Sequence, residues 1–204
     1  MGFTNYLHTR NMSNLKMKTV KTKRIVFIDR DGVINEDPIG DYVKRWEDFR
    51  FIPGTIKALK KIYDAGFGIV IISNQAGIGD GLYPESALKV ITANMLSELK
   101  KNGIEVQGVY YCLHGKDANC DCRKPKTGLF RQAAQEIEFN PSGTYFVGDK
   151  ASDIQAGKKF GLRTLFVLTG HGKNDRPKLK ANEQPEQIFP SLTEAADYLL
   201  KQKQ

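Results

Sequence analysis

The chain has 204 residues, 40% hydrophobic and 26% charged, with a formal net charge of +8. That length and balance suit one soluble globular domain with a sizeable core. No apolar run reaches the length of a membrane span, and the N-terminus lacks the continuous apolar segment of a secretory signal.

The charge is unevenly placed. Residues 1–24 hold Arg10, Lys16, Lys18, Lys21, Lys23 and Arg24 with no acid, leaving 25 basic and 23 acidic residues in the rest of the chain. A nucleic-acid binder carries its basic stripe on the folded domain. The excess therefore reads as a flexible basic extension over residues 1–23, and residues 24–204 as one near-neutral domain. Neither nucleic acid nor membrane is an expected partner. The basic, acid-poor extension also has the composition of a transit peptide, and Met12 and Met17 are alternative starts. The expectation for the domain is a cytoplasmic monomer.

The first predicted element is a strand, Ile25–Ile28, running into Asp29-Arg30-Asp31-Gly32. Open α/β sheets bind ligands outside the carboxyl ends of their strands. A carboxylate there can attack phosphorus and form an acyl-phosphate. Alternate residues of an extended chain share a face, so Asp31 joins Asp29 and Arg30 points away. Asp-x-Asp-Gly also opens calcium loops, but those need a Glu at the twelfth position, which here is Gly40. A non-periodic segment, Asn35–Phe51, follows, and then a predicted helix, Gly54–Ala65.

The second strand, Gly68–Ser73, ends in Ser73-Asn74-Gln75. A hydroxyl and two amides there can bind phosphate oxygens, and they equally suit a capped turn. A helix over Pro84–Lys101 leads to the third strand, Gln107–Cys112. Next comes Cys112-x-His114, five residues, then Cys120-x-Cys122, which takes in all three cysteines of the chain. Four soft ligands complement tetrahedral zinc in a closed, structural site. Free cysteines are often plain core residues, but core packing does not explain His114 among them. Arg123-Lys124-Pro125-Lys126 leaves this loop, offering a lysine to neutralise a transferring phosphoryl group and an arginine to grip another phosphate.

A helix over Gly128–Glu138 precedes the fourth strand, Thr144–Val147, which ends in Gly148-Asp149-Lys150 with Asp153 close behind. Asp149 can join an oxygen shell for Mg2+, while Ser152 and Asp153 also fit a helix cap. Ser152–Phe160, Arg163–Leu168 and Leu192–Lys201 complete a strand–helix alternation. The expected fold is a Rossmann-like α/β three-layer sandwich with a mainly parallel sheet, no large cap domain and a zinc-stabilised loop.

These residues together resemble the haloacid dehalogenase superfamily, whose four motifs appear in order as Asp29-x-Asp31-Gly, Ser73, Lys124, and Gly148-Asp149 with Asp153. The match runs from Arg24 to about Leu168. More narrowly, Asp-Arg-Asp-Gly-Val-Ile-Asn, Ser-Asn-Gln-Ala-Gly, the Cys/His segment with Arg-Lys-Pro, and Val-Gly-Asp-Lys resemble the family of D-glycero-D-manno-heptose 1,7-bisphosphate 7-phosphatases and histidinol-phosphate phosphatases. The resemblance implies a Mg2+-dependent phosphatase of a small phosphorylated metabolite. It implies Asp29 as nucleophile, Asp31 as general acid/base, and Ser73 and Lys124 as phosphoryl stabilisers. Mg2+ would be held by Asp29, the Asp31 backbone carbonyl and Asp149, and structural Zn2+ by Cys112, His114, Cys120 and Cys122. Asp37, Tyr42, Asn74, Gln75, Arg123 and Lys150 would contact substrate. The chain departs from the family pattern in a longer Glu36–Tyr42 segment, in Leu113 where proline is common, and in a short zinc loop.

Two rival classes fit less well. A phospho-receiver domain has no need of Asp31, the cysteine cluster or Arg123. A polynucleotide 3′-phosphatase shares the paired acids but leaves the cysteine cluster unexplained.

Overall fold

The computed structural model describes the backbone of residues 6–8, and residues 24–38 and 40–202 in full. Seven strands form one sheet in the order β1-β4-β3-β2-β5-β6-β7. They are β1 Tyr6–His8, β2 Arg24–Ile28, β3 Phe67–Asn74, β4 Val106–Cys112, β5 Tyr145–Gly148, β6 Arg163–Val167 and β7 Gln187–Phe189. β2 to β7 pair in parallel, and only the short β1 runs antiparallel, on β4. Of the extension expected to be flexible, Tyr6–His8 is described as a strand, and the rest of residues 1–23 lies outside the described residues.

The helices are α1 Thr55–Asp64, α2 Ala76–Gly79, α3 Glu85–Lys101, α4 Gly128–Glu136, α5 Ala151–Phe160, α6 Gly172–Asp175 and α7 Leu192–Lys201. The five predicted strands and five predicted helices are all present, with ends moved by at most two residues. β1, β7, α2 and α6 were not anticipated. Each has only three or four residues, too few to show a period.

Side-chain alternation sorts the sheet into two faces. Val26, Ile28, Ile69 and Ile71 pack with Leu59 and Ile62 of α1, Leu88 and Ile91 of α3, and Leu199 of α7. Ile25, Phe27, Val70 and Ile72 pack on the other face with Leu129 and Phe130 of α4 and Ala156 of α5. Phe130 meets Phe27 and Phe146 edge-on, at 5.2 and 5.1 Å between ring centroids, a preferred arrangement for aromatic pairs. The result is the expected three-layer sandwich. β2 lies at its centre because both its faces are covered, which is why it reads as an unbroken apolar run. The chain fills one side of β2 with β3 and β4 before crossing to β5, so the β2/β5 boundary is the point where strand order reverses. No helix among the described residues is long and apolar enough to cross a membrane.

Candidate active site

The residues singled out from sequence converge at the carboxyl ends of β2, β3 and β5. Asp29 follows β2 directly, and its N–H donates to the Val147 carbonyl of β5 at 3.0 Å, which fixes the strand end. Its carboxylate faces those of Asp149 and Asp153, and one oxygen from each lies within 4.8 Å of the others. All three residues are buried. Lys124 Nζ reaches Asp29 Oδ1 at 2.9 Å and Asp153 Oδ1 at 2.7 Å as ion pairs, off the direction of a good hydrogen bond.

One buried ammonium does not balance three buried carboxylates. Burial pushes the Asp29 carboxyl up to about 6, with Lys124 pulling it down and Asp153 pushing it further up. Burial also raises Asp149 well above the usual carboxylate range, with Lys150 opposing and Asp153 and Asp29 adding to the rise. Asp149 Oδ2 accepts the His171 N–H at 2.8 Å, while its buried Oδ1 has no hydrogen-bond partner. Hard oxygens, surplus negative charge and an orphaned buried acceptor fit a divalent cation such as Mg2+. Gly32 lets this cluster close up. Its φ is +87°, and a Cβ there would lie 2.2 Å from Asp149 Oδ2.

Asp31 stands apart from that cluster. Its Oδ1 accepts from Arg30 Nη2 at 2.7 Å, Arg30 Nε at 3.1 Å and Asn35 Nδ2 at 3.0 Å. Its Oδ2 accepts from Gln75 Nε2 at 2.6 Å and Ser73 Oγ at 3.3 Å. Burial pushes Asp31 up, but the Arg30 guanidinium and these hydrogen bonds outweigh it and hold the carboxyl below its usual range. Arg30, read from strand alternation as pointing away, does leave the Asp29 side; its long side chain then curls back to its neighbour. Only its length hinted at that.

Several residues expected to touch substrate have partners within the chain. Asn74 accepts the Lys124 N–H through Oδ1 at 3.1 Å and donates to the Lys124 carbonyl through Nδ2 at 3.2 Å. It thereby splices the end of β3 to the loop that carries the lysine. Asp37 Oδ2 meets Lys150 Nζ at 2.9 Å and His171 Nε2 at 3.1 Å. Tyr42, Asp37, Glu36, Pro38, Asp41 and Asp48 line an open cavity of about 410 Å3 beside it. Arg123 keeps a buried Nη1 without a hydrogen-bond partner. The segment Thr169–His171 went unnoticed in the sequence, yet Thr169 Oγ1 donates to the Gly32 carbonyl at 2.6 Å and His171 holds both Asp149 and Asp37. Its signal was a glycine-rich turn following a strand, at the end of the sheet where ligands bind.

The second cluster leaves the end of β4. Cys112 Sγ lies 3.0 Å from Cys122 Sγ and 3.6 Å from Cys120 Sγ; His114 Nδ1 lies 3.1 Å from Cys122 Sγ and 3.8 Å from Cys112 Sγ. All four donor atoms fall within 4.8 Å of one another, and no cysteine is in a disulfide. Zinc–sulfur bonds of about 2.3 Å give tetrahedral edges near 3.8 Å, so the set fits zinc with slight expansion. The hydrogen bond from Cys122, with help from His114, pulls the Cys112 thiol down to about 5 against its burial. The Cys122 thiol is pushed up by the same bond. The cluster thus favours holding a thiolate. Gly79 of α2 packs against the backbone of Gly115, where a Cβ would lie 2.1 Å from the Gly115 nitrogen. Asp80 Oδ1 accepts the Lys116 N–H at 3.0 Å. The loop is therefore clasped to the element that follows Gln75.

Residues 121–195 match the family described as HAD-hydrolase-like. The chain is 36% identical over 177 residues to the D-glycero-beta-D-manno-heptose-1,7-bisphosphate 7-phosphatase of Pseudomonas putida, covering 87% of this chain and 99% of that protein. It is 38% identical over 156 residues to the D-glycero-alpha-D-manno-heptose-1,7-bisphosphate 7-phosphatase of Photorhabdus laumondii, covering 72% and 84%. Among solved structures, it resembles the D,D-heptose 1,7-bisphosphate phosphatase of B. bronchiseptica complexed with magnesium and phosphate. The TM-score is 0.81 at 30% identity, covering 87% of this chain and 98% of that one.

Proposed function

The chain belongs to the D-glycero-D-manno-heptose 1,7-bisphosphate 7-phosphatase family of haloacid dehalogenase-like hydrolases, and on that premise we propose that it removes the 7-phosphate of such a bisphosphate. The supporting observation is Lys124 Nζ set between Asp29 and Asp153, 2.9 and 2.7 Å from their oxygens, beside Asp149. That is an attacking carboxylate with a fixed cation next to the place where phosphoryl oxygens gather charge.

In this reading an Asp29 oxygen attacks phosphorus in line. Asp31 gives its proton to the departing sugar oxygen, leaving an aspartyl-phosphate on Asp29. Water then attacks that phosphorus, Asp31 takes a proton from it, and Asp29 leaves as a carboxylate with inorganic phosphate. Ser73 and Lys124 hold the phosphoryl oxygens during both steps. Asp29, the Asp31 backbone carbonyl and Asp149 would hold Mg2+, which when bound neutralises charge on the transferring group and relieves the buried acids. Cys112, His114, Cys120 and Cys122 would hold structural Zn2+, fixing the loop that delivers Arg123 and Lys124. Arg123 reaches for the phosphate at the far end of the sugar, and Asp37, Tyr42 and Lys150 frame the mouth of the site.

The test is phosphate release across a panel: both anomers of heptose 1,7-bisphosphate, fructose 1,6-bisphosphate and histidinol phosphate. The expected result is the highest kcat/KM on one heptose bisphosphate, with the 1-phosphate retained in the product. A highest value on histidinol phosphate overturns the substrate assignment and leaves the chemistry standing.

A further inference from the structure

The Asp31 carboxylate is fixed by buried side chains, Arg30 and Gln75 foremost. Arg30 is 1% exposed, and besides its two bonds to Asp31 Oδ1 its Nη2 lies 3.2 Å from Gln75 Oε1. The Tyr83 hydroxyl donates to the same Gln75 oxygen at 2.5 Å. Two donors on Oε1 leave the Gln75 amide one orientation. That orientation turns Nε2 onto Asp31 Oδ2 at 2.6 Å and Ser73 Oγ at 2.9 Å. The Arg30 guanidinium lies 5.7 Å from the centre of the Tyr111 ring. Tyr111 is anchored in turn by a 3.0 Å hydroxyl contact with Thr92 of α3.

We infer that Tyr83, Gln75 and Arg30 form a positioning clamp for Asp31, and that they serve protonation of the leaving oxygen instead of capture of the phosphoryl group. This rests on the reading of Asp31 as the proton donor. The load on its two oxygens is unequal. Oδ1 takes three donors, whereas Oδ2 takes two, one of them the long 3.3 Å bond from Ser73. Oδ2 is therefore the less heavily held oxygen, and Gln75 sets where it points. In the step served, the Asp29–phosphorus bond forms and the bond from phosphorus to the leaving oxygen breaks, its electron pair staying on that oxygen. The Asp31 proton moves to the same atom, and the attacking water restores it in the second step. Tyr83 acts at one remove: it is 6% exposed and its hydroxyl is spent on Gln75.

Leaving-group dependence tests this. A sugar phosphate departs as an alkoxide and needs the proton; p-nitrophenyl phosphate departs as a stable phenolate and does not. Tyr83→Phe keeps the ring and removes one neutral hydrogen bond, so kcat/KM for the heptose bisphosphate should fall about three- to ten-fold. On p-nitrophenyl phosphate it should fall less than about two-fold. Gln75→Glu, which sets an acceptor against Asp31 Oδ2, should show the same selectivity more strongly. Equal losses on both substrates in both variants overturn the clamp, because a general loss of folded protein acts on both alike. Asp31→Asn separates the two levels. A selective loss there with none in Tyr83→Phe and Gln75→Glu rejects the clamp and keeps Asp31 as the donor. No selectivity in Asp31→Asn rejects both.

Discussion

Two ligand clusters leave the carboxyl ends of strands in one sheet, and they solve opposite problems. The acid cluster takes Asp29 from the end of β2, Asp149 from the end of β5 and Asp153 from the first turn of α5, so a rigid sheet and helix dictate where its charges lie. Those charges repel. Burial and mutual repulsion lift Asp29 and Asp149, and Asp149 Oδ1 finds no donor. The thiol cluster takes Cys112 from a strand end but His114, Cys120 and Cys122 from a loop. Its donors satisfy one another, with sulfur–sulfur contacts from 3.0 to 3.6 Å. In the first case the fold imposes electrostatic strain on its carboxylates. In the second, the ligands impose order on a segment that has no periodicity to order itself.

The contrast predicts that damage to the acid cluster removes turnover while sparing the fold. Asp29→Asn should cut kcat by a factor on the order of 10^4 or more, the scale seen when a nucleophile is removed, with the melting temperature unchanged or raised. Near-wild-type rates in rigorously purified variant protein would break the account. Damage to the thiol cluster should act through the fold, and lower turnover only by loosening the loop that carries Arg123 and Lys124. Protein purified without chelator should carry about one zinc per chain, and Cys120→Ser should lose it and melt several degrees lower, since each kcal/mol is worth roughly 2–4 °C at this size. Absence of zinc, together with unaltered stability and activity in Cys120→Ser, would remove the structural role.

Arg123 sits where the two clusters meet. Charge-assisted hydrogen bonds are worth about 1.5–3 kcal/mol, so Arg123→Ala should lower kcat/KM for the bisphosphate roughly ten- to a hundred-fold. A monophosphate lacking the distal group should lose much less. Equal losses on both would assign Arg123 to the chemistry or the fold.

The smallest effects are on the metal-free protein. Asp149→Asn should raise its melting temperature by a few degrees, because a strained buried charge is gone, and should abolish stabilisation by added Mg2+. The pH dependence follows the same sign. Asp29 is raised from 3.8 to about 6 in the folded state, so between those values the folded state binds more protons than the unfolded one. In chelator, stability should therefore rise as pH falls through about 6 toward 4, and saturating Mg2+ should flatten that slope. Melts that fall over this window in chelator would contradict the charge assignment.

Much of this was legible in the sequence, for a physical reason. A strand buried on both faces reads as a continuous apolar run, so Ile25–Ile28 was legible as a buried strand with Asp29 at its carboxyl end. Four soft ligands within eleven residues marked a candidate metal site, and the fold brings all four donor atoms within 4.8 Å of one another. Side-chain direction was less legible. An amide at a strand end suits a phosphate or a backbone equally, and here Asn74 is spent on both backbone groups of Lys124, and Gln75 on Asp31 and Tyr83. The Arg30 guanidinium defeats the alternation rule because the rule governs Cβ and not a side chain long enough to turn back. Thr169–His171 follows β6 with no apolar pattern at all, so only the folded chain brings it onto Asp149.

The central claim is that Asp29 carries the phosphoryl group from the 7-position of the sugar. Heptose bisphosphate labelled in the 7-phosphate should be mixed with enzyme, quenched within one turnover and reduced with borohydride. Homoserine should appear at position 29 in the digested protein, in amounts matching the label bound to the chain before reduction, and should be absent from Asp29→Asn. Turnover with label passing to phosphate, while position 29 remains aspartate throughout, would contradict it.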